Sequence, residues 1–315
     1  MQYKELNLIL DSFVEEEPID EDEFLFIKQL LDIVLDTKLP NNRTKYHSKM
    51  RFGTSLNHSL NFLETLNPRY RANLESLFNN NQVTILKGNG LSQMTAKDGH
   101  STMTFYQRGT VEDSYTLTHE NIHDTNRDLN RLTVNWHLMT EAFSILSELL
   151  QRDYFSRLDN CPQDYRLNEL DTLNAVLIKA CQLDFEINLL CTYLKYGQIN
   201  DYLFTECLIN KSPFYIRWAL DDFNSSIKQG DFNFSLLQRN IIGGIISSHM
   251  YERIKNKPSL IREFTDLNDS SNDMAFIDTL HYLDLDVVDS QTFELSQDSV
   301  KTLTYAYKNR VRGVF

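Results

Sequence analysis

A mainly α-helical fold with a small β-sheet is predicted by three features of the sequence. Only 10 Gly and 6 Pro punctuate 315 residues, too few turn signals for an all-β chain. Apolar residues recur at three- and four-residue spacing over most of the length. Short β-branched and aromatic runs stand out at two places, Gln82–Leu86 (QVTIL) and Thr102–Tyr106 (TMTFY).

Taken in order, residues 4–14 and 22–36 carry the amphipathic helical spacing, as in Phe26, Ile27, Leu30, Leu31 and Val34. Pro40-Asn41-Asn42 breaks it. A helix over 55–66 ends before Pro68, because the residue preceding proline is pushed out of the α region. Tyr70–Phe78 then runs into the polar turn Asn79-Asn80-Asn81. Between the two strand runs, residues 87–100 (KGNGLSQMTAKDGH) read as a loop. Beyond Gly109, helices are predicted over 111–128, 134–155, 165–196, 200–209, 214–227 and 234–255. There is no repeat of fixed period and no low-complexity linker. Residues 1–80 read as an N-terminal helical segment, and 81–315 as the region that carries the chemistry.

Composition narrows the function classes. A balance of 41% hydrophobic and 24% charged residues is that of a globular protein. The net charge of −13, with no cluster of Lys and Arg, argues against a nucleic-acid partner. The densest acidic run, from Glu15 to Glu23, reads as a solvated loop and helix start. No stretch approaches the roughly 20 apolar residues of a membrane span. The start MQYKELNLILDSFVEEEP lacks the basic region and small-residue cleavage site of a secretory signal. A soluble cytoplasmic protein is therefore expected, and one delivered into another cell would look the same. Cys161, Cys181, Cys191 and Cys207 lack CxxC spacing and read as buried free thiols.

The chemistry concentrates in Thr116-Leu117-Thr118-His119-Glu120-Asn121-Ile122-His123. This is HExxH on a helical stretch, where i,i+4 spacing turns both imidazoles to one face. Neutral imidazole suits zinc, and a catalytic zinc needs three protein ligands so that a fourth position stays open. Glu120, beside the first ligand, stands where it takes a proton from water. Glu141, eighteen residues after His123 on a second helical stretch, is the candidate third ligand; the alternative is a first-turn carboxylate favoured by the helix dipole. His137, four residues before Glu141, reads as a surface or capping histidine, with a reach into the site as the alternative.

The HExxH segment, followed by Thr140-Glu141-Ala142-Phe143-Ser144-Ile145-Leu146-Ser147-Glu148-Leu149-Leu150, resembles the oligoendopeptidase F branch of the thimet-oligopeptidase-like zinc peptidases. That family shows a TLxHExGH helix and then an E-x-x-S-x-x-x-E-L-L helix, and Glu141, Ser144 and Glu148 fall at the three polar positions. Weaker likeness lies at Asn67-Pro68-Arg69-Tyr70, Lys87-Gly88-Asn89-Gly90, Gly109-Thr110, Ala180–Ile187, Ile241–Ser248 and Leu283–Val287. The resemblance implies a two-lobed, zincin-type metallopeptidase around a substrate channel, one zinc ion, and short peptides or unfolded protein segments as substrates. If the metal reading holds, Ser144 and Glu148 are placed to support the ligands or to pack behind them. Glu148 or Asp124 would accept a proton from a ligating imidazole, with exposed helix acids as the alternative. Thr102–Tyr106 would be an edge strand that pairs with substrate, or else an internal strand.

Three departures stand out. Ile122 replaces the glycine usual in the motif. The chain is shorter than typical members, which implies a more open channel. The family's late helix supplies a histidine and a tyrosine to the oxyanion, and Leu236–Gly244 contains neither; Tyr251, His249 and Arg239 are the substitutes on offer, or else a helix aromatic and a solvated charge. Two rival readings follow: a degenerate relative that binds zinc or peptide without turnover, as an inhibitor, immunity factor or regulator, and a helical interaction protein with an accidental HExxH.

Overall fold

The computed structural model describes residues 3–16, 21–37, 49–88, 90–97, 100–125, 134–158, 162–229, 234–270, 276–289 and 294–313. The chain is mainly helical with small sheets, as predicted. Helices α1 (Tyr3–Glu16), α2 (Glu21–Leu35), α3 (Phe52–Leu66) and α4 (Pro68–Asn79) precede the strands β1 (Val83–Lys87), β2 (Gln93–Lys97) and β3 (His100–Gln107). There follow α5 (Glu112–Thr125), α6 (Val134–Leu158), α7 (Pro162–Tyr196), α8 (Asp201–Glu206), α9 (Pro213–Gln229) and α10 (Phe234–Asn256). The end of the chain adds α11 (Leu260–Ser270), α12 (Phe276–Tyr282), a hairpin of β4 (Val287–Asp289) and β5 (Glu294–Leu295), and α13 (Gln297–Arg312).

The break between α3 and α4 follows the predicted proline logic. Asn67 is extended, its side chain accepts from the Arg69 amide at 3.0 Å, and Pro68 opens the next helix. The three-stranded sheet has the order β1-β3-β2, with β1 parallel and β2 antiparallel to β3. Met103 of β3 therefore faces Val83 on one side and Met94 on the other. Two glycines stand between β1 and β2. Gly88 has φ +133°, and a Cβ on Gly90 would run into the Tyr106 ring. The sequence predicts a loop over 87–100; Gln93–Lys97 within it are strand β2. Thr102–Tyr106 is consequently the central strand, with β1 and β2 as the two edges, which corrects the edge-strand expectation in favour of the internal-strand alternative.

The main core unites α2, α4, α5, α6, α7, α10 and α13 through residues such as Leu30, Leu74, Leu117, Ala142, Val176, Ile245 and Leu303. A second cluster joins α1 to α7, α8 and α9, with the Phe185 and Phe223 rings edge-on at 5.1 Å. Cys181 and Cys207 are buried free thiols and Cys191 is an exposed one; Cys161 lies outside the described residues. Among the described residues no helix is long and apolar enough to cross a membrane.

Candidate metal centre

The turn from β3 into α5 fixes where the HExxH helix begins. The Asp113 carboxylate accepts from the amides of Arg108 at 2.8 Å and Gly109 at 2.9 Å, and Gly109 takes the left-handed conformation the turn requires (φ +78°). Behind the helix, Ile122 is 2% exposed and lines an apolar crevice with Tyr70, Phe143 and Leu146. The residue that departs from the family motif thus faces the core, away from the imidazoles. The Asn121 amide donates to the Tyr70 carbonyl at 2.9 Å, and Asn73 donates to both Asn121 and Asp124. Asp124 is thereby engaged with α4.

On the opposite face, His119 Nε2 and His123 Nε2 lie 2.9 Å apart. Glu141 Oε2, from α6, lies 3.3 Å from His123 Nε2 and 3.8 Å from His119 Nε2. A tetrahedral zinc with bonds near 2.1 Å separates its ligand atoms by about 3.4 Å, so these three distances bracket the spacing zinc asks for. Among the described residues this is the one group of three His, Cys, Asp or Glu side chains close enough to share a metal.

The remaining groups fit the same purpose. Glu148 Oε1 lies 2.7 Å from His119 Nδ1, and the imidazole and Arg152 hold the Glu148 carboxyl below its usual range against the opposing effect of burial. An ionised carboxylate can only accept, so Nδ1 carries the proton and Nε2 is turned toward Glu141 and His123. Of the two partners considered from sequence, Glu148 and not Asp124 orients the histidine. Ser144 is fully buried in α6, one turn from Glu148.

Electrostatically the pocket is built for a positive charge. Burial alone would lower His119, but the carboxylates of Glu141, Glu148 and Glu120 override it and raise the imidazole to about 9. Burial alone would raise Glu141; the two histidines and Lys179 bring it down to about 2. A divalent cation can take the place of that proton. Glu120 behaves oppositely. It is 7% exposed, and burial pushes its carboxyl up, while an amide of the β2 edge, at Met94, holds it in place.

Two of the oxyanion substitutes named from sequence are bonded to groups outside the cluster. His249 Nε2 bonds to the Leu283 carbonyl at 2.8 Å, and Tyr251 bonds to Asp153. No hydrogen bond or ion pair joins Arg239 to the cluster among the described residues, and the side chain of His137 lies outside them. Sequence reasoning missed Lys179 of α7, whose ammonium bonds to Asn240 of α10 and whose charge reaches Glu141. It reads in sequence as one more solvated lysine.

Glycine at 243 sets how closely α10 approaches Glu141, the candidate third ligand. A Cβ there would sit 2.7 Å from Glu141 Cγ and 3.2 Å from the Glu141 backbone carbonyl carbon. Gly243→Ala must therefore part the two helices or displace the Glu141 carboxylate. The expected cost is about 1–3 kcal/mol of stability, read by thermal unfolding, together with weaker zinc binding than wild type in a chelator competition.

No protein-family model and no curated protein matches the sequence. Among solved structures, a protein described as an oligoendopeptidase F from Bacillus anthracis str. Ames superposes with a TM-score of 0.63 over 94% of this chain and 56% of its own, at 12% identity. A protein described as a peptidase from Chlamydophila abortus superposes with a TM-score of 0.57 over 100% of this chain and 55% of its own, also at 12% identity. At that identity the likeness establishes a shared fold, and this chain spans little more than half the length of either structure.

Proposed function

We propose that this chain is a zinc-dependent endopeptidase that hydrolyses peptide bonds in oligopeptides or flexible protein segments. The observation that carries the reading is the convergence of His119, His123 and Glu141 at 2.9, 3.3 and 3.8 Å beside the buried Glu120. The fold shared with two peptidase structures supports it. His119, His123 and Glu141 would hold the metal, with Glu148 fixing the His119 ring. Zinc in such a site supplies a Lewis acid and acidifies a water.

Glu120 is the general base. Its raised proton affinity suits it to accept the proton of the attacking water, and the same carboxyl then donates that proton to the departing amine nitrogen. Met94 keeps the carboxyl oriented from the sheet side. Because that amide reaches Glu120 on α5 and β2 is an edge of the sheet, β2 is the strand we assign to substrate pairing, by main-chain hydrogen bonds that read little sequence.

A second reading is favoured by one observation: His249 and Tyr251 are engaged away from the cluster and Leu236–Gly244 holds no histidine or tyrosine. On that reading the chain binds zinc or peptide without turnover. A quenched peptide library separates the two. Cleavage that stops on removal of zinc with a chelator and returns on adding zinc supports the peptidase. Stoichiometric zinc with no cleavage of any library member contradicts it and leaves the non-catalytic binder.

A further inference from the structure

A chain of buried charges leads from His119 to the last helix of the protein. Beyond His119 Nδ1, Glu148 Oε2 accepts from Arg152 Nη2 at 3.0 Å. Arg152 Nη1 bonds to Glu169 at the start of α7, and Nη2 also reaches Thr172 Oγ1 at 3.0 Å. The second oxygen of Glu169 accepts from Arg310 Nε on α13. Arg310 Nη1 donates in turn to the Gly244 carbonyl at 3.0 Å and to Ser248 Oγ at 3.1 Å, both on α10. Arg152, Glu169 and Arg310 are 5%, 9% and 6% exposed, and the Arg152 guanidinium stands 5.2 Å from the Tyr115 ring centroid.

Two carboxylates and two guanidiniums make the chain neutral, so each charge depends on its neighbour. A buried network of this kind is weak evidence for stability, since apolar side chains of the same volume often do as well. Its two ends are more informative. One end is the ring that must aim Nε2 at the metal position. The other is Arg310, which grips α10 at Gly244, the residue after the glycine that abuts Glu141. Arg310 therefore touches the supports of two of the three candidate ligands, from an element sixteen residues long at the far end of the sequence.

We propose that Arg310 is a positioning residue of the metal centre, acting on His119 through Glu169, Arg152 and Glu148 and on Glu141 through the seating of α10. It follows that the site reaches its full metal affinity only when α13 is docked. The inference rests on the reading that the site holds zinc.

The test is zinc affinity, by competition with a chromophoric chelator, for wild type, Arg310→Met, Glu148→Gln and the double variant. Losing an outer-shell partner of a metal ligand typically weakens binding about 10- to 100-fold. Arg310→Met is expected to weaken zinc about 10-fold in the wild-type background and to cost clearly less in the Glu148→Gln background, where the path to His119 is already cut and only the seating of α10 is left to lose. A purely structural role for Arg310 would give no change, or the same loss in both backgrounds, and either result overturns the proposal. If Arg310→Met does not fold, Arg310→Lys decides: it keeps the charge but not the two-directional grip, so a several-fold loss supports the proposal and wild-type affinity overturns it. Failure of the wild type itself to bind zinc would instead defeat the metal reading beneath it.

Discussion

Glu120→Gln is expected to lower peptide cleavage by about 10²- to 10⁴-fold while leaving zinc content unchanged. The substitution keeps the shape of the side chain and removes only its capacity to take a proton. Glu120 is not among the three groups whose atoms converge, so the metal should stay. Its burial raises the proton affinity of the carboxyl, which is the property a base at neutral pH needs. Steady-state rates on a quenched peptide, with zinc measured on the same samples, check this. A variant that cleaves within a few-fold of wild type would remove Glu120 from the chemistry.

Glu141→Ala is expected to have the larger effect on the metal, lowering zinc affinity by more than about 10²-fold. The lower bound follows from the effect of outer-shell partners, which alone reach that size; a ligand should exceed them. The variant leaves two imidazoles 2.9 Å apart with no carboxylate facing their Nε2 atoms from α6. It also removes one of the carboxylates that raise the His119 imidazole to about 9 against the effect of burial, so the metal-free pocket loses much of its preference for a cation. Chelator competition checks the value, and zinc affinity within tenfold of wild type would return Glu141 to the role of a helix-dipole carboxylate.

The cluster of His119, His123 and Glu141 was legible in sequence because its geometry is local. His119 and His123 share a helix face by spacing alone, and the helix containing Glu141, Ser144 and Glu148 has the matching three- and four-residue steps. What sits behind that centre was not legible. Arg152, Glu169, Lys179 and Arg310 look like the charged outer faces of helices, and only tertiary packing turns them inward. Helix α13 shows why it escaped notice. Ser299, Leu303, Tyr307 and Arg310 fall on its buried face at helical spacing, but a serine and an arginine at buried positions break up the apolar stripe that periodicity detects.

Strand β2 was hidden differently. QMTAK has no strong strand preference, and it becomes a strand because β3 offers it an edge. A signal was present all the same. Lys97 pairs with His100 across Asp98-Gly99, the two-residue composition of a tight hairpin. Helices α11 and α12 also fall in the stretch beyond 255, where no element had been assigned.

Whether His119, His123 and Glu141 form a zinc site is decided most directly by elemental analysis of the wild-type chain, purified without chelator and dialysed against limiting zinc. One zinc per chain, lost in His123→Ala, is the expected result. A chain that stays substoichiometric after dialysis, or a His123→Ala variant that keeps its zinc, would contradict the site.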